Sequence, residues 1–432
     1  MSDLHVEPVF VHDFERLLLD LGTWGLYQTI MSLLLFIPIV FVSSIVFFNL
    51  IELSSGNSDA NSAELTKDWS RLVFLGGMVV SLVMTFFLAR IVGRKYTFLT
   101  AVTCLGSCGI WISFSSSQPI ILGSKFICGL GCVGIVYSAI LLQLEIVGTK
   151  YSHVTGLLLI LALALGQVYL GFTLSHVEQN DQMVWCWTCG PILAFLLNWL
   201  ILPHSYRWLI ATAQMDEAQD QMNRMAKWNN QPFRSIMEYT QPLPNQSAEV
   251  QHMWQHFTVY SGCSFTCGAL IFAIVHNVPE VTGSIGMDLG ILAISDILAI
   301  FLDLAFGSNR GIEFLCALFI LASGSLWLAF RTTFDTTSWS FVLLFLSRIS
   351  LALTQINQIE LVGRQFPVDD LYFLLCLSFG ELGVGFSAAI HIFLSQNVEA
   401  VFIGTVCFVS AVSICLLSFK NAKLKYKKYL VF

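Results

Sequence analysis

Apolar residues fall along the chain in long runs, with polar residues gathered in the breaks between them. A helix rises about 1.5 Å per residue and the hydrocarbon core of a bilayer is about 30 Å thick, so a crossing needs about 20 mostly apolar residues. The pattern predicts such helices near 29–51, 70–89, 97–116, 119–142, 153–174 and 183–202. A polar stretch of 54 residues follows, then six more helices near 257–278, 283–305, 312–330, 339–360, 371–394 and 398–418. The chain therefore reads as an all-α membrane protein with twelve transmembrane helices in two six-helix halves. Its segments are 1–28 before the first bundle, 29–202 for that bundle, 203–256 for a central loop, 257–418 for the second bundle and 419–432 for a basic tail. The first apolar run is too long, and the flank before it too acidic, for a cleavable signal peptide. The central loop carries an amphipathic stretch, MDEAQDQMNRMAKWNN, which predicts short interfacial helices.

Twelve crossings put both termini on one side. With the termini in the cytoplasm, sixteen of the 21 Lys and Arg residues lie on that side, three on the other, and Lys125 and Arg348 within spans. Cytoplasmic loops carry such an excess of basic residues, so cytoplasmic termini are expected. The tail KNAKLKYKKY either touches anionic headgroups, at about 1 kcal/mol per basic residue, or holds the last helix in orientation. The sequon Asn245-Gln246-Ser247 falls on the cytoplasmic side and should be unused.

Composition narrows the class. Charged residues make up 11% of the 432 and hydrophobic ones 56%, against about a quarter charged in soluble proteins. That excludes a disordered chain, a nucleic-acid binder and an ordinary cytosolic enzyme. The net charge of −7 is too small to imply a polyionic partner. Nearly all 12 cysteines sit in apolar runs, and the CxxC of Cys186 and Cys189 lies in VWCWTCGPILAFLL. A redox or zinc motif needs polar surroundings, so these thiols read as small packing residues, and no disulfide framework is suggested.

Several motifs are specific. The stretch LGTWGLYQ (Leu21 to Gln28) precedes the first span, and the fourth span reads KFICGLGCVGIVYSAILLQLEIVGTKY. After the sixth span comes LPHSYRWLI, followed by Glu217-Ala218 and by AKWN (Ala226 to Asn229). Together these resemble the organic cation, anion and zwitterion transporter family, which is solute carrier family 22-like and belongs to the major facilitator superfamily. In that resemblance Lys125 takes an arginine position, Glu145 a glutamate position, and Arg207 the arginine of Pro-Glu-Ser-Pro-Arg-Trp-Leu. His204 and Tyr206 replace that motif's glutamate and second proline. The resemblance implies the major facilitator fold, a plasma-membrane location and transport of small organic ions.

The departures are equally informative. Where the superfamily carries Asp-Arg-x-Gly-Arg-Arg/Lys between spans 2 and 3, this chain has Arg90-Ile91-Val92-Gly93-Arg94-Lys95. Gly93, Arg94 and Lys95 keep the end of the turn, while Arg90 replaces the aspartate that helps lock the two halves. The resemblance thus implies a gate that is looser or differently held. The counterpart Gly307-Ser308-Asn309-Arg310 is also eroded, and the loop after span 1 is only about 17 residues.

An ionisable side chain at mid-membrane costs at least about 2.5–3.5 kcal/mol on insertion scales, and so usually faces a cavity. Lys125, Asp296, Arg348 and Glu381 are such residues; Asp288 and Asp303 read as solvated helix ends. Glu381 lies in CLSFGELGVG, which resembles the span-11 segment of organic cation carriers, and stands where they have an aspartate and anion carriers an arginine. A desolvated carboxylate attracts an ammonium group, with cation–π help from aromatic rings; alternatively Arg348 neutralises it or it holds a proton. Taking Phe366-Pro367-Val368 as the family's Tyr-Pro-Thr leaves the interval to Glu381 two residues short. Asp296 lies in AISDILA, with Leu298 where the family has a proline, and pairs with a substrate cation or with Arg348. Lys125 is expected to bond between helices of its own half. Gln143, Gln167, Gln355, Asn357 and Gln358 either line the path or stitch helices together.

The leading expectation is a carrier of small organic cations or zwitterions working by alternating access, with Glu381, Asp296 and Arg348 at the substrate site. An organic anion carrier using Arg348 and a non-transporting sensor or interaction protein are the alternatives. The expected partners are a small organic ion and the bilayer, without nucleic acid. Neither a cofactor nor an enzymatic activity is expected: there is no GxxxxGK[ST] run, and His153, His176, His204, His252, His256, His276 and His391 show no metal spacing.

Overall fold

The structure, a computed structural model, describes residues 18, 24–51, 60–148, 151–177, 181–232, 235, 250–277, 285–306, 312–333, 340–365, 371–393 and 396–429. The sequon, the Gly307–Arg310 turn and Phe366-Pro367-Val368 lie outside them. Fourteen α-helices account for nearly all of these residues. The first six are α1 (Leu26–Ile51), α2 (Ala60–Ile91), α3 (Arg94–Phe114), α4 (Gln118–Val147), α5 (Ser152–His176) and α6 (Asp181–Ala194). Two short helices follow, α7 (Tyr206–Ala211) and α8 (Met215–Trp228). The remaining six are α9 (Val250–Asn277), α10 (Ile285–Phe306), α11 (Ile312–Thr333), α12 (Ser340–Gln365), α13 (Leu371–Phe393) and α14 (Gln396–Tyr429).

Ten of these helices are long and apolar enough to cross a membrane. Shorter apolar stretches, Gln182–Leu197 and Leu315–Arg331, complete the twelve in α6 and α11. The sixth is short for a physical reason. Past Pro191 the backbone tightens into a 3-10 segment, Phe195–Leu200. That form rises about 2.0 Å per residue, so six of its residues add about 12 Å to the roughly 21 Å of α6. The last helix differs from expectation in the other direction: α14 continues through the basic stretch to Tyr429 as 34 helical residues.

Within the first six spans, α4 packs against α2 and α3, and α1 against α5; in the last six, α9 packs on α13 and α11 on α12. The two sets meet where α5 lies along α10 and α12, and α2 along α13. Helices in lipid associate through close packing of small residues, and α9 with α13 shows why. A Cβ on Gly383 would fall on the Phe265 carbonyl, and one on Gly268 on the Gly380 carbonyl. Gly383→Val should therefore destabilise the protein by about 2 kcal/mol, seen as a lower thermal unfolding midpoint in detergent. Gly290→Ala, at a position with nothing within 4 Å, should leave that midpoint in place.

Candidate functional site

A cavity of about 150 Å³ lies where α1, α4 and α5 face α9, α12 and α13. At about 30 Å³ per water it has the volume of about five waters. Its lining is apolar apart from Ser43, Cys132, Arg348, Gln355 and Glu381. Glu381 sits on α13, half-buried against the cavity, and among the described residues its carboxylate has no ion pair and no hydrogen bond. One turn earlier on α13, the Leu377 carbonyl accepts a hydrogen bond from Tyr137 Oη of α4 at 3.2 Å, which ties α13 to the opposite helix set.

Arg348, on α12, also reaches the cavity, and its guanidinium stands 6.0 Å from the centre of the Phe47 ring. It is paired with Asp296 of α10, through Nη2 to Oδ2 at 2.7 Å. The same oxygen accepts from Gln167 Nε2 of α5 at 3.0 Å. All three side chains are buried. Of the partners open to Arg348, the structure therefore selects Asp296 over Glu381, and Gln167 bonds across the two helix sets. Gln143 bonds Ser32 at 2.7 Å and Gln358 bonds Ser264, both between helices, while Gln355 faces the cavity. Asn357 returns to its own helix at Leu353.

The remaining residues singled out in the sequence lie away from the cavity. Lys125 is buried and donates to Ser70 Oγ of α2 at 2.5 Å, beside the Trp185 ring. Gly93, between α2 and α3, has φ +92°, and a Cβ there would press on the Trp208 ring. Glycine is the residue that reaches this conformation without strain. Arg94 pairs with buried Glu145, and Ser205 Oγ donates to the same Glu145 oxygen at 2.8 Å. Ser205 also caps α7 by accepting from the Trp208 amide at 3.1 Å. Lys95 is buried, Arg207 half-buried, and the Arg90 side chain exposed. It is the Arg90 carbonyl that is used, accepting from Trp208 Nε1 at 3.1 Å. Burial and the nearby Lys95 ammonium hold His204 below the usual imidazole range, against the pull of Glu217.

The stretches LGTWGLYQ and AKWN, some 200 positions apart, meet. Asn229 accepts from the Tyr27 amide and donates to Gln28 Oε1 at 3.0 Å, and the Tyr27 and Trp228 rings stand edge to face. All twelve cysteines are free thiols.

Two expectations need correction. Asp288 and Asp303 are not solvated helix ends: both are buried, because α5 covers α10 along its length. The sequence reading also passed over Glu360, near the end of α12. It is buried, and with Asp303 it faces His153 of α5. The signal was an acid in the last turns of two spans with a histidine at the start of a third.

Twelve crossings in two packed sets around an inter-set cavity define the major facilitator fold. It is shared with the major facilitator superfamily proton:xylose symporter XylE bound to 6-bromo-6-deoxy-D-glucose, at a TM-score of 0.66 and 16% identity over 95% of this chain and 96% of that one. The model of the sugar (and other) transporter family matches residues 28–289, more than half of the chain, which belongs to that family. Among curated relatives it is 27% identical over 173 residues to organic anion transporter 3 of Oryctolagus cuniculus, covering 39% of this chain and 31% of the relative. Solute carrier family 22 member 13 of Homo sapiens is 27% identical over 163 residues, 38% of this chain and 29% of the relative. The chain thus matches less than a third of the length of either relative.

Proposed function

We propose that this protein carries small organic cations or zwitterions across the plasma membrane by alternating access, with both termini cytoplasmic. The observation that carries the reading is Glu381: a carboxylate with no ion pair or hydrogen bond among the described residues, facing a mostly apolar cavity between the two helix sets. Holding a carboxylate in lipid-depth surroundings is costly, and an ammonium group in the cavity offsets that cost. Phe47 of α1, across the cavity from α12, adds an aromatic face of the kind that attracts organic cations. The Asp296–Arg348–Gln167 cluster then shapes the site, because its charges are already matched. Sequence similarity to a protein named organic anion transporter 3 favours a second reading, in which Arg348 releases Asp296 to bind an anion. The eroded Arg90 turn keeps a non-transporting relative as the third.

Uptake of labelled cations, anions and carnitine-like zwitterions separates the three. Removing one partner of a desolvated charge pair costs about 2–5 kcal/mol, so Glu381→Gln and Glu381→Arg should each cut cation uptake on the order of a hundredfold at unchanged surface expression. Anion uptake insensitive to both substitutions would move the site to Arg348. No uptake of any probe by a surface-expressed protein would favour the non-transporting reading.

A further inference from the structure

We infer that His153, Asp303 and Glu360 form a proton-dependent latch that closes one end of the cavity between the two helix sets, in place of the eroded Arg90–Lys95 lock. His153 lies in the first turn of α5; Asp303 lies in the last turns of α10, and Glu360 near the end of α12. Its Nε2 is 2.8 Å from Asp303 Oδ2 and its Nδ1 is 2.9 Å from Glu360 Oε2. Both carboxylates are buried and the imidazole is mostly so. One ring thus joins the first six spans to two helices of the last six. This is the end that carries α7 and α8, cytoplasmic in the proposed orientation.

The charge logic follows from the ring. A neutral imidazole has one N–H and one lone pair, so it donates to only one of two carboxylates and turns a lone pair on the other. Both short contacts are attractive when the ring is an imidazolium: the one to Glu360 is a hydrogen bond, and the one to Asp303 is an ion pair whose oxygen accepts no hydrogen bond among the described residues. Among the described residues, Asp303 from α10 and Glu360 from α12 are the charged groups facing it, and Arg364 follows Glu360 by four positions in the sequence. Loss of the proton leaves a neutral ring that can donate to only one of two buried carboxylates. Both carboxylates are carried by the last six spans, so the charge attraction across the boundary between the helix sets is lost. Opening this end separates α5 from α10 and α12, so opening releases the proton. The closed state holds one more proton than the open one. Opening therefore becomes more favourable as pH rises, by up to about tenfold per pH unit between the titration of the free imidazole and the higher titration of the closed latch, and levels off above the latter. Histidine is the side chain whose ordinary titration falls in the range a cell uses for such control.

The Arg90 turn does not supply this closure. Its Arg94 pairs with Glu145, which Ser205 also meets, and Lys95 lies near Glu217 and Arg224, all within or just after the first six spans; Arg90 is exposed. The latch accounts for how a chain without the motif aspartate keeps that end shut.

The test uses the purified full-length protein and hydrogen–deuterium exchange read by mass spectrometry at pH 6.5 and 8.5, corrected for the chemical pH dependence of exchange. This readout needs no substrate, so failure of the latch and failure of the transport reading are separable. The peptides that report are the start of α5 and the ends of α10 and α12, with α3 and α11 as distant references. In the wild type the reporting peptides should open more at pH 8.5, while the references stay unchanged. His153→Gln should open them at both pH values. His153→Lys, whose ammonium keeps its charge and can bridge both carboxylates, should keep them protected at both. The inference is overturned by a wild-type profile without pH dependence, by His153→Gln protected like the wild type, or by a His153→Lys variant that retains the wild-type pH response.

Discussion

An Arg348→Met variant should unfold at a markedly lower temperature than the wild type, whereas Arg348→Met combined with Asp296→Leu should recover most of the loss. The single change removes the guanidinium from Asp296 Oδ2, leaving a fully buried carboxylate with Gln167 as its remaining donor among the described residues. Breaking a buried pair from one side costs about 3–5 kcal/mol because the remaining charge has neither partner nor water. Replacing both partners with apolar groups removes the charge that would be stranded, and such double replacements are often neutral or better. Thermal unfolding midpoints in detergent, followed by tryptophan fluorescence, measure both. If the double variant is no more stable than the single one, the Asp296–Arg348 pair is not what holds α10 to α12 at this depth.

The second large effect is expected at Glu145→Ala. Glu145 accepts from Arg94 and from Ser205 on one oxygen, and Ser205 in turn caps α7. One substitution therefore takes the carboxylate away from a buried arginine and loosens the serine that starts α7, at a combined cost of about 3–5 kcal/mol. Arg90→Ala is the internal contrast. Its side chain is exposed and only its carbonyl holds Trp208, so the change should stay within about 0.5 kcal/mol. Equal losses from the two variants would mean that the Arg94–Glu145–Ser205 cluster contributes no more to stability than an exposed arginine of the same turn.

The twelve crossings were legible in the sequence because an apolar run of about 20 residues in a chain this poor in charge has few other uses. The ends were less legible. Pro191 and the shift to a tighter helix let the sixth span finish early, while α14 runs past its apolar run because the lysines, alanine and leucine of KNAKLKYKKY continue a helix readily once it has begun. The charged residues could be picked out by position, but their partners could not. Gln167 and Asp296 are 129 positions apart, and His153 and Glu360 are 207 apart. Nothing local announces such pairs; packing of α5 along α10 and α12 creates them. Asp303 was misjudged for the same reason: a helix end reads as wet until another helix is known to cover it. Glu381 stood out because an acid between glycines in an apolar span has no local partner.

The length of α14 has a mechanical consequence. Its 34 residues make a rod about 51 Å long, against a hydrocarbon layer of about 30 Å. A tilt of such a rod by about 10° about one end swings the other through about 9 Å. α14 packs on α9 and α11, so it follows any reorientation of those helices. A fluorophore carried near Tyr429 would act as a pointer, turning a small rotation inside the bilayer into a displacement large enough to read by distance-dependent energy transfer.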